Sequence, residues 1–405
     1  MIYLTLIALL LVLIYHYDYQ EHIRGRREWF IIIAIYFTLM AGLRYRVGGD
    51  TVSYMYDYID YPNLSEYFSY DFSSTKNGRA YMLLGAIAKS ISDDFVVLQC
   101  ILAIFLNSVI FTFFYKNTNH IFSASLLYFF LFFFNLNTEV LRESCAVAMF
   151  LIGWKYFYSS KWLKYYICCL IAILFHPSAA FTILLPISKL RRLNRIFTPS
   201  WISFAIAIGL FLIGIIITSK FFDIIRLMEI ATVDNYAQTY ENSRFGEGRN
   251  YNITGTIVFL FKNFLYPLVC GFLISKQFIS LPKIENSSYR SALLAMLMSF
   301  LYIASLSSSM IILARFNNYL IPFLTIIIAD VFFSKIKIKR KTYRLSFITW
   351  IIFIVPYLSI YIQGLFDTSN PAHTPYFHKY YPYYSVLNPQ LDRERELLIK
   401  YNYFK

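Results

Sequence analysis

Long apolar runs, separated by short basic stretches or longer tyrosine-rich polar ones, set the pattern of this chain. Runs able to cross the roughly 30 Å core of a bilayer lie near residues 1–15, 29–43, 95–115, 121–136, 140–158, 199–218, 254–274, 291–310, 312–333 and 345–363. Residues 162–188 make two shorter half-spans meeting at Phe175-His176-Pro177-Ser178. Proline there removes a backbone donor and disfavours helix at the residue before it. The pattern predicts an all-α fold, a polytopic membrane helix bundle of about 10–12 transmembrane helices including a broken helix pair. Outer-face loops and short interfacial helices complete it, and residues 1–405 read as a single integral membrane domain. The first fifteen residues lack a basic n-region and a small-residue cleavage site, so they read as a retained helix.

Lysine and arginine in the short loops orient the bundle. Arg24, Arg26 and Arg27, Lys161 and Lys164, Lys189 to Arg195, Lys276, Lys283 and Arg290, and the run from Lys335 to Arg344 all fall on one side, which is therefore cytoplasmic. The opposite face carries the segments 44–94, 219–253 and 364–405, and with an even number of crossings both termini lie there. The stretch Tyr81 to Ile91 is amphipathic and too short to span, as expected of a helix at the interface.

Composition adds to this picture rather than changing it. The chain is 58% hydrophobic and only 15% charged, against roughly 25% charge in a soluble domain. Its net charge of +14 is scattered between apolar runs and forms no basic domain. Nucleic acid is therefore not the expected partner; membrane lipids and an anionic lipid-linked substrate are. The five cysteines sit inside apolar runs and read as small core residues.

Candidate chemistry begins at G-L-R-Y-R-V-G-G-D-T-V-S-Y, Gly42 to Tyr54. Arg44, Arg46 and Asp50 arrive there at the end of an apolar helix, where an uncompensated charge costs about 2.5–3.5 kcal/mol. Snorkelling to lipid headgroups is the plain alternative. Glu139 and Arg142 are three apart and Glu139 and Glu143 four apart, so all three share one helical face, and an internal ion pair is their plain alternative. His176 sits at the helix break, Arg79 follows a turn in the first outer segment, Arg244 and Arg249 lie in the second, and Arg315 lies in an otherwise apolar stretch. Tyr54 and the many other outer tyrosines suit sugar rings or a headgroup belt equally. By this topology the arginines and His176 gather at one face, in outline a polyanion site, because guanidinium forks hold phosphate oxygens in pairs. There is no Walker loop, no H-E-x-x-H, no zinc spacing and no D-x-D pair, so no metal and no cofactor is expected.

Four stretches carry a resemblance: A-G-L-R-Y-R-V-G-G-D-T-V-S-Y, L-R-E-S-C-A-V-A-M-F, L-F-H-P-S-A-A-F and A-R-F-N-N-Y-L. In order and spacing they resemble the EpsG family of bacterial exopolysaccharide and O-antigen polymerases, the Wzy-like enzymes. Glu143 stands where that family usually has glutamine. The resemblance implies a glycosyltransferase of the bacterial inner membrane that joins undecaprenyl pyrophosphate-linked oligosaccharide repeat units at the periplasmic face. It also implies a chain-length regulator and a flippase of the same pathway as partners. In such a reaction Arg44, Arg46, Tyr54, Arg79, Arg142, Arg244, Arg249 and Arg315 would bind pyrophosphate and glycan. Asp50 is the foremost candidate for the base, His176 the next, with Glu139 and Glu143 also available. An O-antigen ligase shares the donor, and a lipid-linked oligosaccharide flippase would also use broken helices and buried charge. Charges gathered at one face and the absence of an inverted repeat favour the polymerase.

Overall fold

The computed structural model describes residues 2–72, 75, 77–193, 195–218, 271, 275, 278, 287–307, 311–333, 336–338, 341–343, 366–368 and 373–403. Arg244, Arg249, the span expected at 345–363 and nearly all of that at 254–274 lie outside these residues. The regular structure of the described chain is mostly helical, with one short antiparallel hairpin, β1 Ile336–Ile338 with β2 Lys341–Tyr343, which lies within the basic run. It divides into two compact units, residues 1–185 with 325–405 and residues 186–324.

In the first unit, α1 (Ile2–Leu13) runs on as a π-helix to Tyr19, and α2 (Arg26–Gly42) follows. Leu6, Leu10 and Leu13 of α1 are buried while Leu4, Leu11 and Val12 are exposed, so the helix is apolar on all sides. That is the signature of a helix set against lipid rather than water. Two short helices, α3 (Thr51–Ile59) and α4 (Arg79–Lys89), precede α5 (Phe95–Asn117). At 11 residues α4 reaches only about 16 Å and cannot span. The 23 residues of α5 reach about 34 Å and can. Asp94 caps α5, its Oδ1 accepting the Val96 N–H at 2.9 Å, as a short acidic side chain does for an orphan donor. Three described helices are long and apolar enough to cross a membrane, Ile2–Tyr19, Phe95–Asn117 and Ser288–Ser307. Shorter apolar helices accompany them.

α6 (Ile121–Tyr128) continues through two π-helical stretches, Phe129–Phe133 and Asn135–Glu139. A closed ring of buried polar groups holds this widened helix. The Asn107 amide donates to Asn137 Oδ1 at 3.0 Å, Asn137 donates to the Tyr128 hydroxyl at 2.7 Å, and that hydroxyl donates to Asn107 Oδ1 at 2.8 Å. Val140 then turns out of helical geometry at φ −114°, ψ 52°, and α7 (Leu141–Tyr158) begins. Glu139 thus belongs to a different helical segment from Arg142 and Glu143, and the single shared face expected of the three does not form. Glu143 is buried within α7, whereas Glu139 and Arg142 are half-buried at its start.

The broken pair is present. α8 (Trp162–Phe175) ends as His176 turns extended at φ −154°, and the chain resumes as a 3-10 helix over Pro177–Lys189. Tyr165 of α8 ties the halves together, its hydroxyl donating to Thr182 O at 2.6 Å. Cys100, Cys145, Cys168 and Cys169 are free thiols.

In the second unit, α9 (Trp201–Thr218) packs on α10 (Ser287–Ser307) through Ala207, Phe211, Met298, Leu301 and Tyr302. Ser200 and Ser203 exchange hydrogen bonds at the start of α9, at 2.8 and 3.2 Å. A 3-10 turn over Ile311–Phe316 contains Arg315 and leads into α11 (Asn317–Phe332), which enters the first unit at Thr325.

Candidate active site

α2 ends at Gly42, and the chain that follows is held by the C-terminal tail. Val386 N–H donates to Leu43 O at 2.8 Å and Tyr45 N–H to Tyr384 O at 2.9 Å, so Arg44 and Ser385 face each other across a short antiparallel bridge. Gly48 N–H donates to Lys379 O at 2.8 Å. The tail is itself fixed. Tyr380 O accepts the Tyr3 hydroxyl at 2.8 Å, and the Tyr383 hydroxyl donates to Met40 O at 3.1 Å. Arg395, near the start of α12 (Arg393–Tyr403), is buried and reaches back to His378 O at 2.9 Å and to Pro382 O, staple-like, with its guanidinium over the Tyr384 ring.

The predicted site residues separate by role within this frame. Arg44 is 3% exposed and donates through Nη1 to Ala41 O. Burial pulls its guanidinium down to about 10, against the opposing pull of Tyr383 and Glu139. Arg46 is committed elsewhere: Nε and Nη2 donate to the two oxygens of Glu396 at 2.7 and 2.5 Å. Asp50 is exposed at the N-cap of α3. Arg79 is exposed too, lying over the Phe72 ring at 5.4 Å.

Glu139 is the carboxylate drawn against the glycine turn. Its Oε1 accepts the Gly49 N–H at 2.8 Å, and its main-chain oxygen accepts the Tyr54 hydroxyl at 3.1 Å. The glycine pair is required here. Gly48 has φ +108°, and a Cβ on Gly49 would stand 2.9 Å from Glu139 Oε2 and 3.1 Å from Lys379 Nζ. Next to Glu139, Arg142 donates to Asn77 Oδ1 at 3.0 Å, and Asn77 in turn donates to the Tyr61 hydroxyl at 3.0 Å. Arg142 is also hydrogen-bonded to Tyr54, whose phenol burial pushes up to about 12 against the pull of Arg142.

The same turn brings in the helix break. A Cβ on Gly78 would collide with the carbonyl oxygens of Leu174 and Phe175, so only glycine lets Asn77 lie against the end of α8. His176 follows directly. It is 6% exposed, and its Nδ1 accepts the Ser178 N–H at 3.2 Å and lies 2.7 Å from Ser178 Oγ. An acceptor Nδ1 leaves the proton of a neutral ring on Nε2, so the ring is set as a donor rather than a base at that nitrogen. Arg315 belongs to the second unit.

Two residues of this site escaped the sequence reading, Lys379 and Glu396. The local signal was there in the charged run Asp392 to Glu396 and in the lysine within the tyrosine-rich tail, but neither says which loop it meets.

Together these features define a multi-pass helical membrane protein whose ionisable groups converge where a span gives way to a loop. The EpsG family model matches residues 28–385, and the chain belongs to that family, a Wzy-like polymerase family. It is an exopolysaccharide polymerase-type membrane protein. No curated protein and no solved structure gives a match.

Proposed function

We propose that this protein is a glycosyltransferase that polymerises oligosaccharide repeat units carried on undecaprenyl pyrophosphate, at the outer face of the bacterial cytoplasmic membrane. The observation that carries the reading is the meeting of Glu139, Tyr54 and Arg142 against the Gly48-Gly49 turn, in a chain of this family. The basic loops favour an outer face for that turn.

The chemistry follows from the groups present. The acceptor hydroxyl oxygen bonds to the anomeric carbon of the donor glycan while the bond from that carbon to pyrophosphate breaks. The electron pair leaves on pyrophosphate. Glu139 takes the hydroxyl proton; its carboxylate is half-buried, and the Gly49 N–H fixes its orientation at the turn. Arg142 places positive charge beside the site where anion develops. Asp50 sits at the rim, exposed, and His176 holds the helix break in place.

Purified protein in bilayers with an undecaprenyl pyrophosphate-linked repeat unit should yield a ladder of polymer. Glu139→Gln at normal protein level should leave single units. Full-length polymer from that variant would remove Glu139 as the base.

A further inference from the structure

We propose that Lys379, carried in by the C-terminal tail, is the residue that binds the phosphate-type anion of the substrate, at the glycine turn that it shares with Glu139. This deepens the polymerase reading and rests on it for the identity of the anion as the donor's pyrophosphate.

Three observations point to it. The first is position. Gly48 donates to the main-chain oxygen of Lys379, which fixes the tail to the turn irrespective of the side chain. Lys379 Nζ then stands 3.1 Å from the place where a Cβ on Gly49 would be, with Glu139 Oε2 at 2.9 Å from the same place. Ammonium and carboxylate thus both close on the glycine turn, packed against Gly49 too tightly for a side chain there.

The second is how the other cations are used. Arg46 gives both prongs of its fork to Glu396, Arg142 is engaged by Asn77 and Tyr54, and Arg44 is buried beneath the tail. Lys379 makes no ion pair with a carboxylate among the described residues, and its ammonium rests 5.3 Å from the centre of the Tyr376 ring. A half-buried ammonium held by an aromatic face keeps its donors for a ligand.

The third is chemistry. Lysine binds phosphate as a compact point charge with rotatable donors, which suits a leaving group whose negative charge grows during the reaction. With Glu139 at the same turn, the acceptor hydroxyl and the departing pyrophosphate have separate partners of the right sign.

The test uses full-length protein in lipid nanodiscs and the binding of polyprenyl pyrophosphate, with polyprenyl alcohol as the uncharged arm. Lys379→Ala should weaken pyrophosphate-lipid binding by about tenfold or more and leave the alcohol unchanged; Lys379→Arg should retain most of the affinity. Should the alanine variant not run as a single species, Lys379→Gln takes its place. Equal affinity of wild type and a well-folded neutral variant for the pyrophosphate lipid overturns the proposal. Lysine-dependent binding without any polymer from lipid-linked repeat units would uphold Lys379 and sink the polymerase reading. Normal polymer with an unchanged KM in Lys379→Ala would do the reverse.

Discussion

Arg46 and Glu396, 350 residues apart, close a two-pronged ion pair that fastens the last helix to the turn after α2. The pair does mechanical duty as well as electrostatic. Arg46 lies at φ +53°, a left-handed conformation that costs a side-chain-bearing residue about 1–2 kcal/mol. The fork and the neighbouring main-chain bonds to the tail offset that strain. Both side chains are largely shielded, at 17% and 22% exposure, so the pair is worth more than a surface one. Glu396→Ala should therefore destabilise the tail by about 1–3 kcal/mol and release it to protease before the bundle melts. Exchanging the two residues, Arg46→Glu with Glu396→Arg, should recover part of the protection. Unchanged proteolysis of the alanine variant would show that main-chain bonds alone hold the tail.

Asp50 and Glu139 can be separated by amide substitution. Asp50 is exposed at the head of α3, whereas Glu139 takes a hydrogen bond from the glycine turn. Glu139→Gln should reduce polymerisation by about 10²–10⁴, the usual worth of a positioned base, while Asp50→Asn should lower it less than tenfold. Polymer length on a gel, beside protein level on a blot, decides between them. The opposite ranking would return the base to Asp50.

Much of this was legible in the chain, for identifiable reasons. The break at His176-Pro177 follows from proline's missing donor, and the apolar runs follow from the thickness of a bilayer. The Gly42 to Tyr54 cluster stood out because charge is costly at the end of a span. Other parts were not legible. Spacing of three and four residues placed Glu139 with Arg142 and Glu143 on one face, but that rule assumes a continuous helix, and the π-helical stretch and Val140 interrupt it. No periodicity reports that Glu396 and Lys379 return to a turn near residue 48, because such contacts depend on chain path rather than on local pattern.

The buried ring of Asn107, Tyr128 and Asn137 makes a third prediction. Each member satisfies the other two, so removing one leaves unpaired groups in an apolar core. Asn137→Leu should cost about 1–3 kcal/mol per group left unpaired and should also lower activity, since Asn137 lies two residues before Glu139 in the same π-helical stretch. Tyr128→Phe should be milder, leaving the Asn107–Asn137 bond intact. Thermal unfolding measured alongside polymerisation checks both. A stable Asn137→Leu protein with full activity would mean that the ring does not position Glu139.

Tyr54 gives a pH-dependent test of burial. Its phenol is held protonated up to about 12, chiefly by burial, whereas in the unfolded chain it ionises near 10. A raised value in the folded state means that its contribution is fully present below about pH 10 and is lost as pH rises from there to about 12. The difference in stability between wild type and Tyr54→Phe should be constant at neutral pH and should shift in that window by about 2–3 kcal/mol. Using the difference cancels the other buried tyrosines. A flat difference across the window would place Tyr54 in contact with solvent.

Arg142 supplies the sharpest test of geometry against charge. Its fork spans Asn77 and Tyr54, linking the loop before α4, the short helix α3 and the start of α7 around Glu139. Lysine keeps the charge, but an ammonium cannot serve two partners set apart by a planar guanidinium. Arg142→Lys should therefore express normally and polymerise about 10–100-fold more slowly, roughly the loss of one charge-assisted hydrogen bond. Asn77→Ala should move activity in the same direction by a smaller factor, because Arg142 keeps Tyr54. The double variant should be little worse than Arg142→Lys alone, since both changes break one link. Full activity in Arg142→Lys would reduce the residue to a field charge, and additive losses in the double variant would show that Asn77 acts on something other than Arg142.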